Sequence, residues 1–171
     1  MIESLSLRLA NHIKSVVPEH PASVAVMKHA LAIGINMVLI VILTLTTAIM
    51  TGHMRETIVI MIVFAILRQM TGGYHLKSGV SCIVVSTVLL TALSFVTLDY
   101  TLTMASTGAS MLLILLLAPA GIERQSKIPK RFYPALKWSS FVLVGLNLIV
   151  ASPLIAVAVL AQSVTLIIVR R

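Results

Sequence analysis

From Leu31 to Thr51 the chain carries no charged side chain. A helix of about 20 apolar residues crosses the ~30 Å hydrocarbon core of a bilayer. In lipid every backbone N–H and C=O must be bonded internally, so only helices and closed barrels can span it. Further uncharged runs cover Val80 to Leu98, ended by Asp99, and Leu102 to Ala118, ended by Pro119. A last run, Trp138 to Val169, is too long for one crossing. Ser152-Pro153 divides it, because proline removes a backbone donor and disfavours helix in the residue before it. A shorter run, Thr57 to Leu67, lies between Met54-Arg55-Glu56 and Arg68. At ~1.5 Å rise per residue it covers about half a bilayer. Either the polar residues on both sides extend it at membrane depth, or it is a partial span. The expectation is an all-α, polytopic integral membrane protein with about six membrane-embedded helices, the second short or partial.

Composition closes off the soluble alternative. The 171 residues are 58% hydrophobic and 11% charged, whereas a soluble domain carries roughly 25% charged residues. Residues 1–171 read as a single membrane domain, with residues 1–28 an N-terminal segment and residues 31–171 a helical bundle. In the first segment Ile2, Leu5, Leu9, Ile13 and Val16 recur at helical spacing among Arg8, Asn11, His12 and Lys14. That pattern predicts an amphipathic interfacial helix and lacks the continuous apolar core of a cleavable signal.

The net charge of +8 sits in short polar intervals between apolar runs. This suits contact with anionic membrane lipids and argues against nucleic acid as a partner. With the N-terminus in the cytoplasm and six alternating crossings, the cytoplasmic intervals hold Arg8, Lys14, Lys28, Arg68, Lys77, Arg124, Lys127, Lys130, Arg131, Lys137, Arg170 and Arg171. Of 13 Lys and Arg, only Arg55 falls outside. The positive-inside rule therefore predicts a multi-pass protein with both termini cytoplasmic.

Glu3, Glu19, Glu56, Asp99 and Glu123 all lie at segment ends or in loops, so an ion-coupled transporter would lack its usual intramembrane carboxylates. Asn36 and Asn147, inside apolar runs, are expected to make helix–helix hydrogen bonds. The small residues Ala105, Ser106, Gly108, Ala109 and Ser110 suit close helix packing.

One stretch concentrates reactive groups: Arg68-Gln69-Met70-Thr71-Gly72-Gly73-Tyr74-His75-Leu76-Lys77-Ser78-Gly79-Val80-Ser81-Cys82. Cys82 is the single cysteine, so no internal disulfide forms. A lone cysteine in a transmembrane helix is ordinarily a small packing residue. This one opens the third span after Gly79, where a helix N-terminus stabilises a thiolate, with Lys77 and Arg68 nearby in sequence. That makes it a candidate nucleophile. His75 is the candidate base. Along one continuous helix the two would be roughly 10 Å apart, too far for proton transfer. The sequence therefore requires His75 on non-helical backbone folded over the start of the third span. Gly72, Gly73 and Gly79 permit such a turn, and N–H groups at Gly72 and Gly73 are candidates for holding an oxyanion. Gln69 or Ser78 is a candidate to orient His75, the alternative being a plain Cys/His dyad. No metal or other cofactor is expected: His53 falls on the opposite side, and the other donors lack ligand spacing.

The pattern Arg68-x-x-x-Gly72-Gly73-Tyr74-His75-x6-Cys82 resembles the motif of the AgrB (accessory gene regulator B) family of bacterial membrane cysteine endopeptidases. Size, hydropathy and the basic interval before the fifth segment are similar too. The resemblance implies that Cys82 is the nucleophile, that His75 is its partner, and that Arg68 and Gly73 belong to the functional motif. It implies a bacterial plasma-membrane enzyme with a cytoplasmic site. Such an enzyme removes the acidic C-terminal tail of a small autoinducer propeptide, whose remainder is cyclised as a thiolactone or lactone for quorum sensing. The interval from Ala118 to Arg131 matches the family loosely at its proline and lysines and has few acidic residues. Lys127, Lys130 and Arg131 would attract an acidic tail, or would serve only to set topology. A second copy of the chain is a candidate partner for enclosing the site. The competing functional class is a small membrane exporter of peptides without protease activity, for which no P-loop or other energy source is evident.

Overall fold

The computed structural model describes residues 2–73, 78–122 and 128–170. Among them the fold is all-α. Helix α1 (Ile2–Val16) lies against α2 (Val24–Thr51), burying the small residues Ser6 and Ala10. Its Leu5, Leu9 and Val16 remain exposed, the arrangement of a helix whose apolar stripe meets lipid. Ser23 caps α2 by accepting a hydrogen bond from Val26 N, and Gly52, at φ 76°, ends it in the left-handed conformation.

Helix α3 (Met54–Thr71) follows at once. The helix runs past its apolar stretch at both ends. Its 18 residues span about 27 Å, running through Arg55 and Glu56 at one end and Arg68 to Thr71 at the other. The apolar run is half-length; the helix is not. Helix α4 (Gly79–Ser94) is shorter. Helix α5 (Tyr100–Leu117) starts at Asp99, whose Oδ1 accepts from Leu102 N at 2.7 Å. It stops at Ala118, which is extended, as the residue before a proline prefers.

A 3₁₀ turn at Lys130–Phe132 leads into α6 (Tyr133–Gly145), and α7 (Asn147–Val150) nearly continues it. The chain then breaks at Ala151, φ 53°, and α8 (Pro153–Arg170) begins at the proline. Asn147, 1% exposed, holds the break: its Oδ1 accepts from Ser152 N, and its Nδ2 donates to Ser152 O and to Thr107 Oγ1 on α5. The helix–helix bond expected of Asn147 is therefore present. Val24–Thr51, Tyr100–Leu117 and Lys130–Val150 are long and apolar enough to cross a membrane, and Gly79–Ser94 and Pro153–Val169 are shorter apolar helices. With α3 they account for the segments read from the sequence.

The last helix is the central one. It packs chiefly against α5 and α3, and Ala156, Val157, Ala158 and Val159 are all buried. One core cluster joins Leu67, Ile114, Val144, Val159 and Leu166; a second joins Ile60, Phe64, Leu90 and Ala158. Lipid tails are as apolar as leucine, so helices in a membrane associate through close packing and hydrogen bonds rather than through exclusion of water. Buried Thr107, Ser140 and Ser163 satisfy their hydroxyls within their own helices, donating to carbonyls one turn back. On α5 the packed stripe is Thr103, Thr107, Ser110 and Ile114. The expectation from Ala105, Gly108 and Ala109 is corrected here, since these residues lie exposed on the outer face. Outward-facing side chains such as Met50 (81% exposed) and Ile149 (83%) are apolar, which only lipid accommodates at this density.

Candidate active site

Contacts between helix ends define the two ends of the bundle. At one, His53 stacks on Phe95, ring centroids 4.4 Å apart. At the other, the C-terminal end of α3 meets the segment after α5. Ala120 N donates to Thr71 O (2.9 Å) and Gly73 N donates to Ala120 O (3.1 Å), a short parallel bridge. Gly72 turns here at φ 76°, ψ −154°, and its N–H donates to Arg68 O at 3.0 Å. A Cβ on Gly72 would run into Ala120 O and come within 2.9 Å of the Ile122 side chain. This turn therefore needs glycine for its backbone angles and for the approach of a second strand.

Three polar groups crowd Gly73. The place its Cβ would take lies 3.1 Å from Thr165 Oγ1, 3.2 Å from Arg68 Nη1 and 3.2 Å from Gln162 Nε2. Gln162, 1% exposed on α8, donates from Nε2 to Gly72 O at 2.6 Å and to Thr71 Oγ1 at 3.1 Å. Thr71 Oγ1 in turn donates to Leu67 O at 2.8 Å. The turn is thus bolted to the central helix.

Cys82 lies in the first turn of α4, half-buried, its N–H bonded to Ser78 O at 3.0 Å. Ser78 occupies the N-cap position in extended conformation, and its side chain makes no capping bond. The first N–H groups of any helix lack intrahelical acceptors, so this end of α4 presents positive potential beside the sulfur. Arg68, from the last turn of α3, is close enough to Cys82 to interact with it electrostatically. Its guanidinium also lies over the Phe64 ring, 5.9 Å from the centroid. From the other side α2 brings Asn36, whose amide would sit 3.0 Å from a Cβ on Gly79. The Asn36 Oδ1 is buried with no hydrogen-bond partner among the described residues. The helix–helix hydrogen bond expected of Asn36 is therefore not made through that atom.

The structure brings Arg68, Gly72, Gly73 and Cys82 together at one end of the bundle. His75 and Lys127 lie outside the described residues. The oxyanion expectation for Gly72 and Gly73 needs correction: both N–H groups are spent on protein carbonyls, so these glycines serve the turn itself. Gln69 and Ser78 are exposed. Lys130 and Arg131 are exposed in the 3₁₀ turn, with Arg131 Cζ 4.9 Å from the Phe132 ring centroid. They belong to the same end, since Tyr133, Lys137 and Trp138 line a cleft with Ala118 and Pro119. Among the described residues no three His, Cys, Asp or Glu side chains group as metal ligands. Sequence reasoning missed Gln162, Thr165 and Ala120. A signal existed for Gln162: it is an amide inside an uncharged run, as Asn36 and Asn147 are.

The fold and the site together define an all-α membrane protein with a cysteine at the head of one helix and a clamped glycine turn beside it. The chain belongs to the AgrB family: the family model for accessory gene regulator B matches residues 6–169. A protein of Halalkalibacterium halodurans named AgrB-like is 30% identical over 96 residues, 56% of this chain and 49% of that protein. The match thus spans about half the length of that relative. No solved structure matches the chain.

Proposed function

We propose that this protein is a membrane cysteine endopeptidase. It cleaves the C-terminal tail from a small autoinducing-peptide precursor and promotes closure of the remainder to a thiolactone or lactone. AgrB family membership supports a part in agr quorum-sensing peptide processing. The observation that supports the chemistry is the placement of Cys82 in the first turn of α4, with Arg68 of the neighbouring helix near enough to act on it electrostatically.

In this reading His75 takes the proton from Cys82 Sγ, and the thiolate attacks the carbonyl carbon before the tail. Negative charge gathers on the carbonyl oxygen, and the first-turn N–H groups of α4 are the donors best placed to hold it. The C–N bond then breaks, and His75 gives its proton to the departing amine. The acyl group remains on Cys82 as a thioester. A thiol or hydroxyl of the substrate attacks that carbonyl, the bond to Sγ breaks, and the proton returns to the sulfur. Partial exclusion of water protects the thioester until the ring closes. The acidic tail is drawn to Lys127, Lys130 and Arg131, and the site end of the bundle faces the cytoplasm of a bacterial plasma membrane.

One experiment tests chemistry and orientation together. A matched propeptide is added outside membrane vesicles, and tail release is followed by mass spectrometry. Inverted vesicles carrying the wild-type chain release the tail, right-side-out vesicles do not, and inverted vesicles carrying Cys82→Ala release none. Tail release by Cys82→Ala would remove the nucleophile assignment, and release only by right-side-out vesicles would reverse the orientation.

A further inference from the structure

The cleft where α5 ends and α6 begins takes no part in the chemistry proposed for Cys82. Its volume is about 400 Å³, and Leu115, Pro119, Tyr133, Lys137 and Trp138 line it. That is the size range of small-molecule sites. The lining is apolar and aromatic except for one charge. Lys137 is half-buried, and no carboxylate pairs with it among the described residues. From Tyr100 to Arg171 the sequence holds seven Lys and Arg against one acidic residue, Glu123. This half of the chain must find most of its counter-ions outside itself, because a charge withdrawn from water is costly unless it is paired.

Position narrows what can supply the anion. Both helices that form the cleft are long and apolar enough to cross a membrane, and the cleft lies where one ends and the other starts. That is headgroup depth, where Tyr and Trp concentrate and where a lysine stem reaches out toward the polar layer. Trp138 is 57% exposed, its ring held edge-on to Phe141 with centroids 5.8 Å apart. A phospholipid meets both demands, with a phosphate for the ammonium and an acyl chain for the exposed indole and Leu115. A choline or ethanolamine headgroup would set a second cation beside Lys137, and no described acidic side chain lines the cleft to receive it.

We infer that this cleft is a binding site for an anionic phospholipid, with Lys137 on the phosphate and Trp138 against the start of the acyl chain. The cleft wall at Ala118 and Pro119 directly precedes Ala120, whose backbone bonds Thr71 and Gly73. The bound lipid thus lies beside the segment on which the glycine turn is docked.

The test uses the full chain in vesicles. Trp138 is the single tryptophan, so its fluorescence reports on this cleft, and a lipid brominated on its acyl chain quenches it on contact. Phosphatidylcholine vesicles are doped with brominated phosphatidylglycerol or with brominated phosphatidylcholine. One lysine near an anionic headgroup favours it about fivefold. Half-maximal quenching by the glycerol lipid is therefore expected at about one-fifth of the mole fraction that the choline lipid requires. Lys137→Gln should bring the two curves together and Lys137→Arg should keep them apart. Arg55→Gln, at the far end of the bundle, should leave them as in wild type. If Lys137→Gln does not accumulate, Lys137→Met, which keeps the apolar stem, carries the same expectation. Coincident curves in the wild type overturn the site. A preference that survives Lys137→Gln also overturns it, tracing the effect to net charge alone. Recovery of fluorescence on adding a soluble acidic peptide would give the cleft to a peptide and overturn the lipid assignment as well.

Discussion

Gly72→Ala is the sharpest perturbation of the site that leaves its chemistry untouched. The new Cβ meets Ala120 O, a backbone atom that cannot rotate away, and the backbone stays at φ 76°, ψ −154°. That region is essentially restricted to glycine and costs another residue about 1–3 kcal/mol. Overpacking adds about 1–3 kcal/mol, for a central penalty of about 4 kcal/mol. Four hydrogen bonds hold the turn against Ala120 and Gln162, each contributing about 1 kcal/mol net. The penalty is about equal to the restraint, so the turn is docked only about half the time while the bundle core remains folded. kcat/KM falls with the docked fraction, by about twofold or more. The assay is release of the tail from a matched propeptide in vesicles, with membrane accumulation and far-UV dichroism compared with wild type. Gly108→Ala is the control: nothing lies within 4 Å of a Cβ there, in the middle of α5. It should keep full activity and gain up to about 1 kcal/mol of helix propensity. Full activity in Gly72→Ala, or an equal loss in Gly108→Ala, would refute the argument that this turn must be docked to work.

Two further outcomes are expected. Lys130→Glu combined with Arg131→Glu should raise KM for the propeptide several-fold and leave kcat unchanged, and an amidated, neutral tail should erase the difference; equal KM values would leave these residues with topology alone. Asn147→Leu removes the bonds to Thr107 and Ser152 and strands Ser152 N–H, costing about 1–3 kcal/mol. Its midpoint of thermal unfolding in detergent should drop by several degrees while tail release at low temperature persists, and an unchanged midpoint would show that the α7–α8 turn does not depend on it.

Much of this protein was legible in the chain itself. The absence of charge from Leu31 to Thr51 and from Trp138 to Val169 dictates helices in lipid, because no other open structure satisfies its own backbone there. Proline at 153 and glycine at 52 mark their breaks through local angles alone. The grouping of Arg68, Gly72, Gly73 and Cys82 was legible for the same reason: each is separated from the next by no more than one loop. Tertiary structure decided what depends on residues remote in sequence. Hydropathy could not tell that α3 outruns its apolar stretch, since the polar residues at its ends are helical without being apolar. Nor could it reveal that α8 is the central helix, because an apolar residue facing lipid and one facing protein look alike in composition. The role of the two glycines changed on the same ground. Read alone they offered free N–H groups; in the fold Ala120, Arg68 and Gln162 take up their backbone.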